Sequence, residues 1–313
     1  MNLLVYTKDY QMLKLQRSEK NPILTPSNLS WEDMLVFNPA ATMFKDKVYL
    51  IYRAMGKNDI YSRLGLAISN DGINFERKKD PLYYGNGHTD ESLGVEDPRI
   101  VKIDDTYYMT YTAVSGDLGE EVAKWKGKKP QIALSTTKDF KTFVDYDVII
   151  PNVLGKNASF FPKKINEEYW FLYRVGLGKT YLAKSTTLTN WQNTHPVFEE
   201  RSNMWDSVKC GIGAPPIETE KGWLLFYHGV DETNTYRLGI MFLDLENPLK
   251  ILYRSPEPIF EPIEDYEKYG YINNVVFTCG AVEKDNLYFV YYGAADKVIG
   301  VATVEKQAVL SLF

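Results

Sequence analysis

The sequence has little cysteine, little histidine and no long apolar run. Its two cysteines, Cys210 and Cys279, among 313 residues allow one bridge at most and exclude a disulfide framework. Two buried thiols in a reducing cytosol are the expectation. The three histidines, His88, His195 and His228, show no ligand spacing, so no metal centre is expected. No apolar stretch approaches the ~18 residues of a membrane span, and Met1–Asp9 has neither the charged start nor the apolar core of a signal peptide. A cytoplasmic protein without a membrane partner is expected. Positive charge is also short. Lys and Arg number 36 against 41 Asp and Glu, a net charge of −5, which removes the general case for nucleic-acid binding. There is no Gly-rich phosphate loop and no GxGxxG, so a nucleotide cofactor is not expected. No helical period of useful length appears.

What the chain has instead is aromatic residues, 14% of the total with 23 Tyr and 6 Trp, a composition suited to sheets and to surfaces on which sugars stack. They fall in a repeat. Val48-Tyr49-Leu50-Ile51-Tyr52, Tyr107-Tyr108-Met109-Thr110-Tyr111, Tyr169-Trp170-Phe171-Leu172-Tyr173, Trp223-Leu224-Leu225-Phe226-Tyr227 and Leu287-Tyr288-Phe289-Val290-Tyr291 share one form. Their final tyrosines stand at 52, 111, 173, 227 and 291, so 59, 62, 54 and 64 residues apart. Each run follows a polar turn of hairpin type. Each is preceded by a further strand, such as Ala40 to Phe44, and followed by one with alternating small residues, such as Leu64 to Ser69. In three repeats an outer segment follows, at 71–75, 138–143 and 188–191. Three or four antiparallel strands repeated five times describe an all-β fold, a five-bladed β-propeller. The repeats fill the chain, so 1–313 reads as one domain with a short N-terminal arm, about 1–30, that can complete a blade. The Ser115–Pro130 insertion reads as a solvated loop, a lid or an oligomer contact. It and the arm are the candidate contacts of a homo-oligomer. The tail Val309–Phe313 reads as a closing strand or a contact.

The first strand of each propeller blade lines the central channel. Aligned on that basis, the repeats bring together Phe37-Asn38-Pro39, Glu96-Asp97-Pro98, Lys156-Asn157-Ala158, Gly213-Ala214-Pro215 and Asn273-Asn274-Val275. Polar residues facing a common cavity form a ligand pocket and not a core. The residue after each repeat tyrosine is Arg53, Thr112, Arg174, His228 and Tyr292. Three of these five are basic in a protein of net negative charge. With Lys156 they form a cationic cluster opposite Asp97, and without matching acids such a cluster suits an anion, phosphate above all.

The most informative run is Gly94-Val95-Glu96-Asp97-Pro98-Arg99-Ile100. It puts two carboxylates into a strand, where charge is costly unless paired or used. Pro98 cannot donate to a ladder, which marks an edge or a mouth. Either Asp97 or Glu96 pairs with Arg99 at a strand end, or a carboxylate points into a cleft. Sugar hydrolysis ordinarily needs two carboxylates. One prominent carboxylate facing a basic wall fits a different reaction. Inorganic phosphate, already a nucleophile, attacks the anomeric carbon while one acid serves the leaving oxygen and cations hold the phosphate in line. The product is a sugar 1-phosphate of inverted configuration.

Gly94 to Ile100, Lys156-Asn157-Ala158 with Phe161-Pro162, Gly213-Ala214-Pro215-Pro216-Ile217, Tyr227-His228-Gly229-Val230 and Tyr291-Tyr292-Gly293-Ala294-Ala295-Asp296 together resemble glycoside hydrolase family 130, over about residues 17–304. The resemblance implies a five-bladed propeller and an inverting β-mannoside phosphorylase. Such an enzyme converts β-1,2- or β-1,4-linked mannobiose or mannooligosaccharides and inorganic phosphate into α-mannose 1-phosphate, with phosphate as co-substrate and no cofactor. It implies Asp97 as general acid, its proton relayed through the mannosyl 3-hydroxyl. It implies Lys156, Asn157, Arg174 and His228 as phosphate ligands, with lysine at 156 where the family often has arginine. It implies sugar contacts from Asn38, Arg53, Arg63, Glu96 and Asp296. Two other readings stand beside it. One is a β-mannoside hydrolase of the same family with Glu199, Glu200 or Asp206 as base. The other is a non-catalytic sugar-binding propeller.

Overall fold

The computed structural model describes residues 13–58, 61–85, 89–116, 128–176, 178–188 and 190–312. Five antiparallel sheets follow one another along the chain. Blade 1 is Leu35–Phe44, Lys47–Met55, Arg63–Ser69 and Glu76–Arg77. Blade 2 is Val95–Ile103, Thr106–Gly116, Lys128–Thr137 and Phe143–Val148. Blade 3 is Gly155–Phe160, Tyr169–Val175, Thr180–Ser185 and Gln192–Phe198. Blade 4 has a divided inner strand, Lys209–Ile212 and Ile217–Thr219, followed by Gly222–Val230, Tyr236–Leu243 and Ile251–Arg254. Blade 5 runs Val276–Lys284, Leu287–Ala294 and Val298–Glu305, and its fourth strand, Gln16–Arg17, comes from the other end of the chain. The arm thus supplies the outer strand of the last blade before the chain enters the first, which holds the two blades together and closes the ring.

The tyrosine runs are the second strands, and their alternation builds the core. Leu50 and Tyr52 pack towards blade 5, whereas Ile51 packs towards blade 2. Leu224 and Phe226 face blade 5, and Trp223, Leu225 and Tyr227 face blade 3. Successive strand side chains point to opposite faces, so a fully apolar strand serves two neighbours and the core becomes five wedges between blades. The polar tip of each repeat tyrosine finds a partner. Tyr52 donates to Glu32, Tyr111 to Glu91, Tyr227 to Asp206 and Tyr291 to the Gly72 carbonyl, at 2.6–3.0 Å, and Tyr173 to Thr194 Oγ1 at 3.4 Å.

The outer strands begin later than the sequence suggests. Segments 71–75 and 138–143 are mainly turns, organised by Asp71 and Asp139 accepting backbone N–H groups, and the strands follow at Glu76, Phe143 and Gln192. Among the described residues two short α-helices occur, Asp265–Lys268 and Lys306–Leu310, besides a 3-10 turn at Thr89–Glu91. The second takes up the start of the apolar tail. Val309 and Leu310 join the wedge between blades 4 and 5 as a helical turn and not as a closing strand. Residues 117–127 of the insertion, residues 1–12 of the arm, His88 and Phe313 lie outside the described residues. Among those described, no helix is long and apolar enough to cross a membrane, and both cysteines are free and buried.

Candidate active site

Bulges in the inner strands aim the site residues. The ladder slips between Phe37 and Ala40, between Glu96 and Arg99, and between Lys156 and Ser159. At each slip one residue takes the left-handed conformation, Asn38 at φ 48°, Asp97 at φ 50° and Asn157 at φ 53°. Asn and Asp are the non-glycine residues that enter this region most readily, and a bulge re-aims a side chain out of the sheet plane. The three turn towards one cavity of about 240 Å³, lined by Asn38, Arg53, Asp97, Lys156, Asn157, Arg174, Lys209, His228, Tyr236, Ile272, Val275, Phe277 and Asp296.

The remaining alignment expected from sequence needs correction in two blades. Gly211, not Gly213, pairs with His228, and Thr278, not Asn273, pairs with Tyr292. Asn273 and Asn274 are exposed beyond the inner strand. Tyr292 points away from the cavity and donates to Glu267 at 2.9 Å.

The acid side of the cavity is a tight network. Asn38 Nδ2 donates to Asp97 Oδ1 at 2.9 Å and Arg53 Nη1 to the same oxygen at 3.3 Å. Arg53 Nη2 reaches Glu96 Oε1 at 2.5 Å, and Lys156 Nζ reaches Glu96 Oε2 at 2.8 Å. Arg99 pairs with neither carboxylate. It is 1% exposed and donates to three carbonyls, those of Asp97, Ile212 and Gly213, at 2.6–3.2 Å, which ties the Asp97 bulge to blade 4 across the axis. Burial alone would raise the Asp97 carboxyl, but Arg53, Lys156, Asn38 and Arg99 outweigh it and bring it down to about 2. For Glu96, Arg53 and Lys156 likewise overcome burial and lower its pKa. Asp296 goes the other way. Burial, with Asp97 and Glu96 nearby, pushes it up to about 6 despite Arg53 and Lys209.

The opposite side holds cations without carboxylate partners. Arg174 Nε donates to Asn157 Oδ1 and its Nη1 to the Gly176 carbonyl, both at 2.8 Å. Lys209 Nζ donates to Tyr236 Oη at 2.6 Å. Among the described residues neither forms an ion pair. Burial first, then neighbouring positive charge, brings Lys209 down to about 7 and Arg174 to about 10. Burial beside Arg174, Lys209 and Arg99 holds His228 well below its usual value. It is therefore a neutral imidazole and not the cation its place in the repeat suggests. Neither of its ring nitrogens has a hydrogen-bond partner, and the nearby Ile212 carbonyl favours its charged form only weakly. A buried donor without a partner is costly, so an incoming oxygen would be welcome there. The expected basic cluster thus divides. Lys156 belongs to the Glu96 network, whereas Arg174 and Lys209 line the cavity without an ion pair among the described residues.

This site resembles a specific group of proteins. A family model described as beta-1,4-mannooligosaccharide phosphorylase matches residues 9–313. The chain belongs to glycoside hydrolase family 130. This family-130 chain is 44% identical over 305 residues to a 1,2-beta-oligomannan phosphorylase of Thermoanaerobacter sp. (strain X514), covering 95% of the chain and 99% of that protein. It is 42% identical over 313 residues to a beta-1,2-mannobiose phosphorylase of the same organism, with the same coverage of each. The structure of beta-1,2-mannobiose phosphorylase from Listeria innocua in complex with beta-1,2-mannobiose superposes with a TM-score of 0.84 at 28% identity, covering 95% of this chain and 98% of that one.

Of the sequence-predicted site residues, Asn38, Arg53, Asp97, Lys156, Asn157, Arg174, His228 and Asp296 line the family-130 cavity, and Glu96 supports it from behind. Arg63 does not line it. It opens the third strand of blade 1 and donates to the Tyr61 carbonyl at 3.4 Å. The hydrolytic candidates lie elsewhere. Asp206 is fully buried and held by Arg201, Arg254 and Tyr227. Glu199 pairs at the surface with Lys179, and Glu200 does not line the cavity. Sequence reasoning missed Lys209 and Tyr236. Pairing Gly211 with His228 would have placed Lys209 two residues upstream, at the start of the inner strand. Among the described residues no group of three or more His, Cys, Asp or Glu could hold a metal ion.

Proposed function

We propose that this protein is an inverting β-mannoside phosphorylase that takes β-1,2-linked mannooligosaccharides and inorganic phosphate to α-mannose 1-phosphate. One observation carries the reading. A single cavity sets the hydrogen-bonded network of Asp97 with Asn38, Arg53 and Glu96 against Arg174 and Lys209, which form no ion pair among the described residues. Phosphate suits the second wall, with Arg174 and Lys209 supplying charge and Asn157, His228 and Tyr236 supplying hydrogen bonds. Lys156 reaches the phosphate if it releases Glu96. Asn38, Arg53 and Asp296, which line the same cavity, take the hydroxyls of the mannosyl unit in this reading. The β-1,2 linkage is favoured by the names of the 44% and 42% identical relatives, although the family model is described by β-1,4-linked chains.

The acidity of Asp97 bears on the mechanism. In the free protein it is ionised, the wrong state for a proton donor. A phosphate dianion arriving opposite cancels part of the positive field that lowers it, so its affinity for a proton rises on substrate binding. Protonated Asp97 then donates through the mannosyl 3-hydroxyl to the glycosidic oxygen as a phosphate oxygen attacks C1 from the other face. The glycosidic C–O bond breaks, the C–O bond to phosphorus oxygen forms, and the leaving sugar departs as an alcohol. Hydrogen phosphate gives up its proton in becoming the ester, and that proton restores Asp97. No second carboxylate is needed.

The test is incubation with β-1,2- and β-1,4-mannobiose, each with and without phosphate, followed by assay of mannose 1-phosphate. Release only with phosphate, and faster from the β-1,2 isomer, is expected. Free mannose formed at the same rate without phosphate would overturn the reading in favour of hydrolysis. No turnover of either sugar would favour a binding module.

A further inference from the structure

The cavity lining is mostly polar, but Ile272, Val275 and Phe277 give it one apolar stretch. Residues 261–275 join blade 4 to blade 5. They carry four of the ten exposed large apolar side chains among the described residues, namely Ile263, Tyr269, Tyr271 and Ile272. Ile272 also lines the cavity. Concentrated exposed apolar surface beside a pocket marks a binding surface.

This connection is firmly held. Buried Glu267 accepts from the N–H groups of Ile263 and Glu264 at 2.9 and 3.1 Å, from Arg17 Nε at 2.8 Å and from Tyr292 Oη at 2.9 Å. The N–H groups of Tyr271 and Ile272 donate to the Ala295 carbonyl at 2.9 and 3.2 Å, and the Asn274 carbonyl accepts from Tyr236 N–H at 2.9 Å. Asp296, next to Ala295, and Tyr236 are two walls of the cavity, so the loop spans from one to the other. Gly270 makes the approach possible, because a Cβ there would stand 2.3 Å from the Ala295 oxygen.

The volume decides what can occupy the rim. A cavity of about 240 Å³ falls below the ~300–1,000 Å³ of a pocket for a drug-sized ligand. On the functional reading above it takes one mannosyl unit and a phosphate, so the leaving part of a longer chain has to lie across the rim. Sugar rings present C–H faces that suit tyrosine and isoleucine surfaces, while the tyrosine hydroxyl remains available to the sugar edge.

We infer that Tyr271 and Ile272, on the loop pinned to Ala295 and Tyr236, form a subsite for the reducing-end sugars of a mannooligosaccharide and give the protein its preference for chain length. The inference deepens the functional reading above and rests on it. Its test uses the full chain and the variants Tyr271→Ala and Ile272→Ala, both at exposed positions where truncation has little effect on folding. Calorimetric titration with β-1,2-mannobiose and β-1,2-mannotetraose, without phosphate, reads the subsite apart from the chemistry. Wild type is expected to bind the tetraose about fivefold or more tightly than the biose, and each variant to lose most of that gain, with a smaller loss for the biose, whose one reducing-end sugar meets only part of the rim. Equal affinity of wild type for both sugars, or variants that keep the gain, would overturn the subsite. So would light scattering showing that wild type is a dimer and Tyr271→Ala a monomer, because a second copy would then cover the loop. Phosphate is added afterwards. Failure to release mannose 1-phosphate there would overturn the phosphorylase reading and leave the measured chain-length preference standing.

Discussion

Asp97 and Lys209 are driven from their ordinary protonation states by the same cavity, in ways that can be measured. Asp97 is kept ionised by Arg53, Lys156, Asn38 and Arg99 against its own burial. Replacing it by asparagine retains the shape and the bond from Asn38 but removes the proton carrier. Asp97→Asn is therefore expected to lower kcat by on the order of 10²-fold or more, measured as mannose 1-phosphate release. Lys209 loses its proton as pH rises through about 7, because burial and the charges of Arg174 and Lys156 disfavour the ammonium. The anion wall thus becomes less positive with rising pH. Sulfate does not titrate in this range, so its inhibition against phosphate isolates the protein's part. The expected result is a sulfate inhibition constant that rises through neutral pH in wild type and stays nearly flat, at a weaker value, in Lys209→Met. Asp97 was legible in the sequence because a carboxylate beside Pro98 in a strand is unusual. Lys209 was not, because nothing around it in the chain signals that Gly211 pairs with His228.

The inner-strand bulge is the device that points Asn38, Asp97 and Asn157 at one cavity, and it depends on a left-handed residue at each slip. A Cβ in that region costs roughly 1 kcal/mol or more unless the side chain compensates, whereas glycine adopts it freely. Asn157 also orients Arg174 through its amide oxygen. Both Asn157→Ala and Asn157→Gly should raise the Michaelis constant for phosphate. Only the alanine variant carries the backbone penalty, so in denaturant titration it should be the less stable of the two by roughly 1 kcal/mol. Equal stability would show that the turn conformation at 157 is not required. The repeat was readable at this scale because hairpin turns and apolar alternation are local. The bulges were not, since a slip of register is a relation between two strands.

The ring as a whole is closed by two residues from the start of the chain. Gln16 and Arg17 pair with Thr303 and Ala302 of blade 5. Arg17 also meets Glu267 at 2.8 Å, a carboxylate with no exposure. Removing one member of such a pair leaves a buried charge and typically costs about 3 kcal/mol. Arg17→Ala should lower the melting temperature by several degrees in calorimetry and leave the phosphate Michaelis constant unchanged, because neither Arg17 nor Glu267 lines the cavity. An equal loss of phosphate affinity would mean that closure and the anion wall are coupled.

By itself the sequence determined the fold and the kind of site. Five tyrosine-ended runs at near-equal spacing have few ways to bury both faces of each strand, and the propeller is the one that matches their number. The Glu96–Arg99 run and the basic residues after the tyrosines marked side chains that line one cavity. Only the tertiary structure decided how the charges divide. Lys156 is matched by Glu96, His228 is neutral, and Lys209 with Arg174 faces the cavity without an acid partner. Those facts depend on burial and on pairings between residues some 60 positions apart, and the energy of a charge is set by its surroundings and not by its place in the chain.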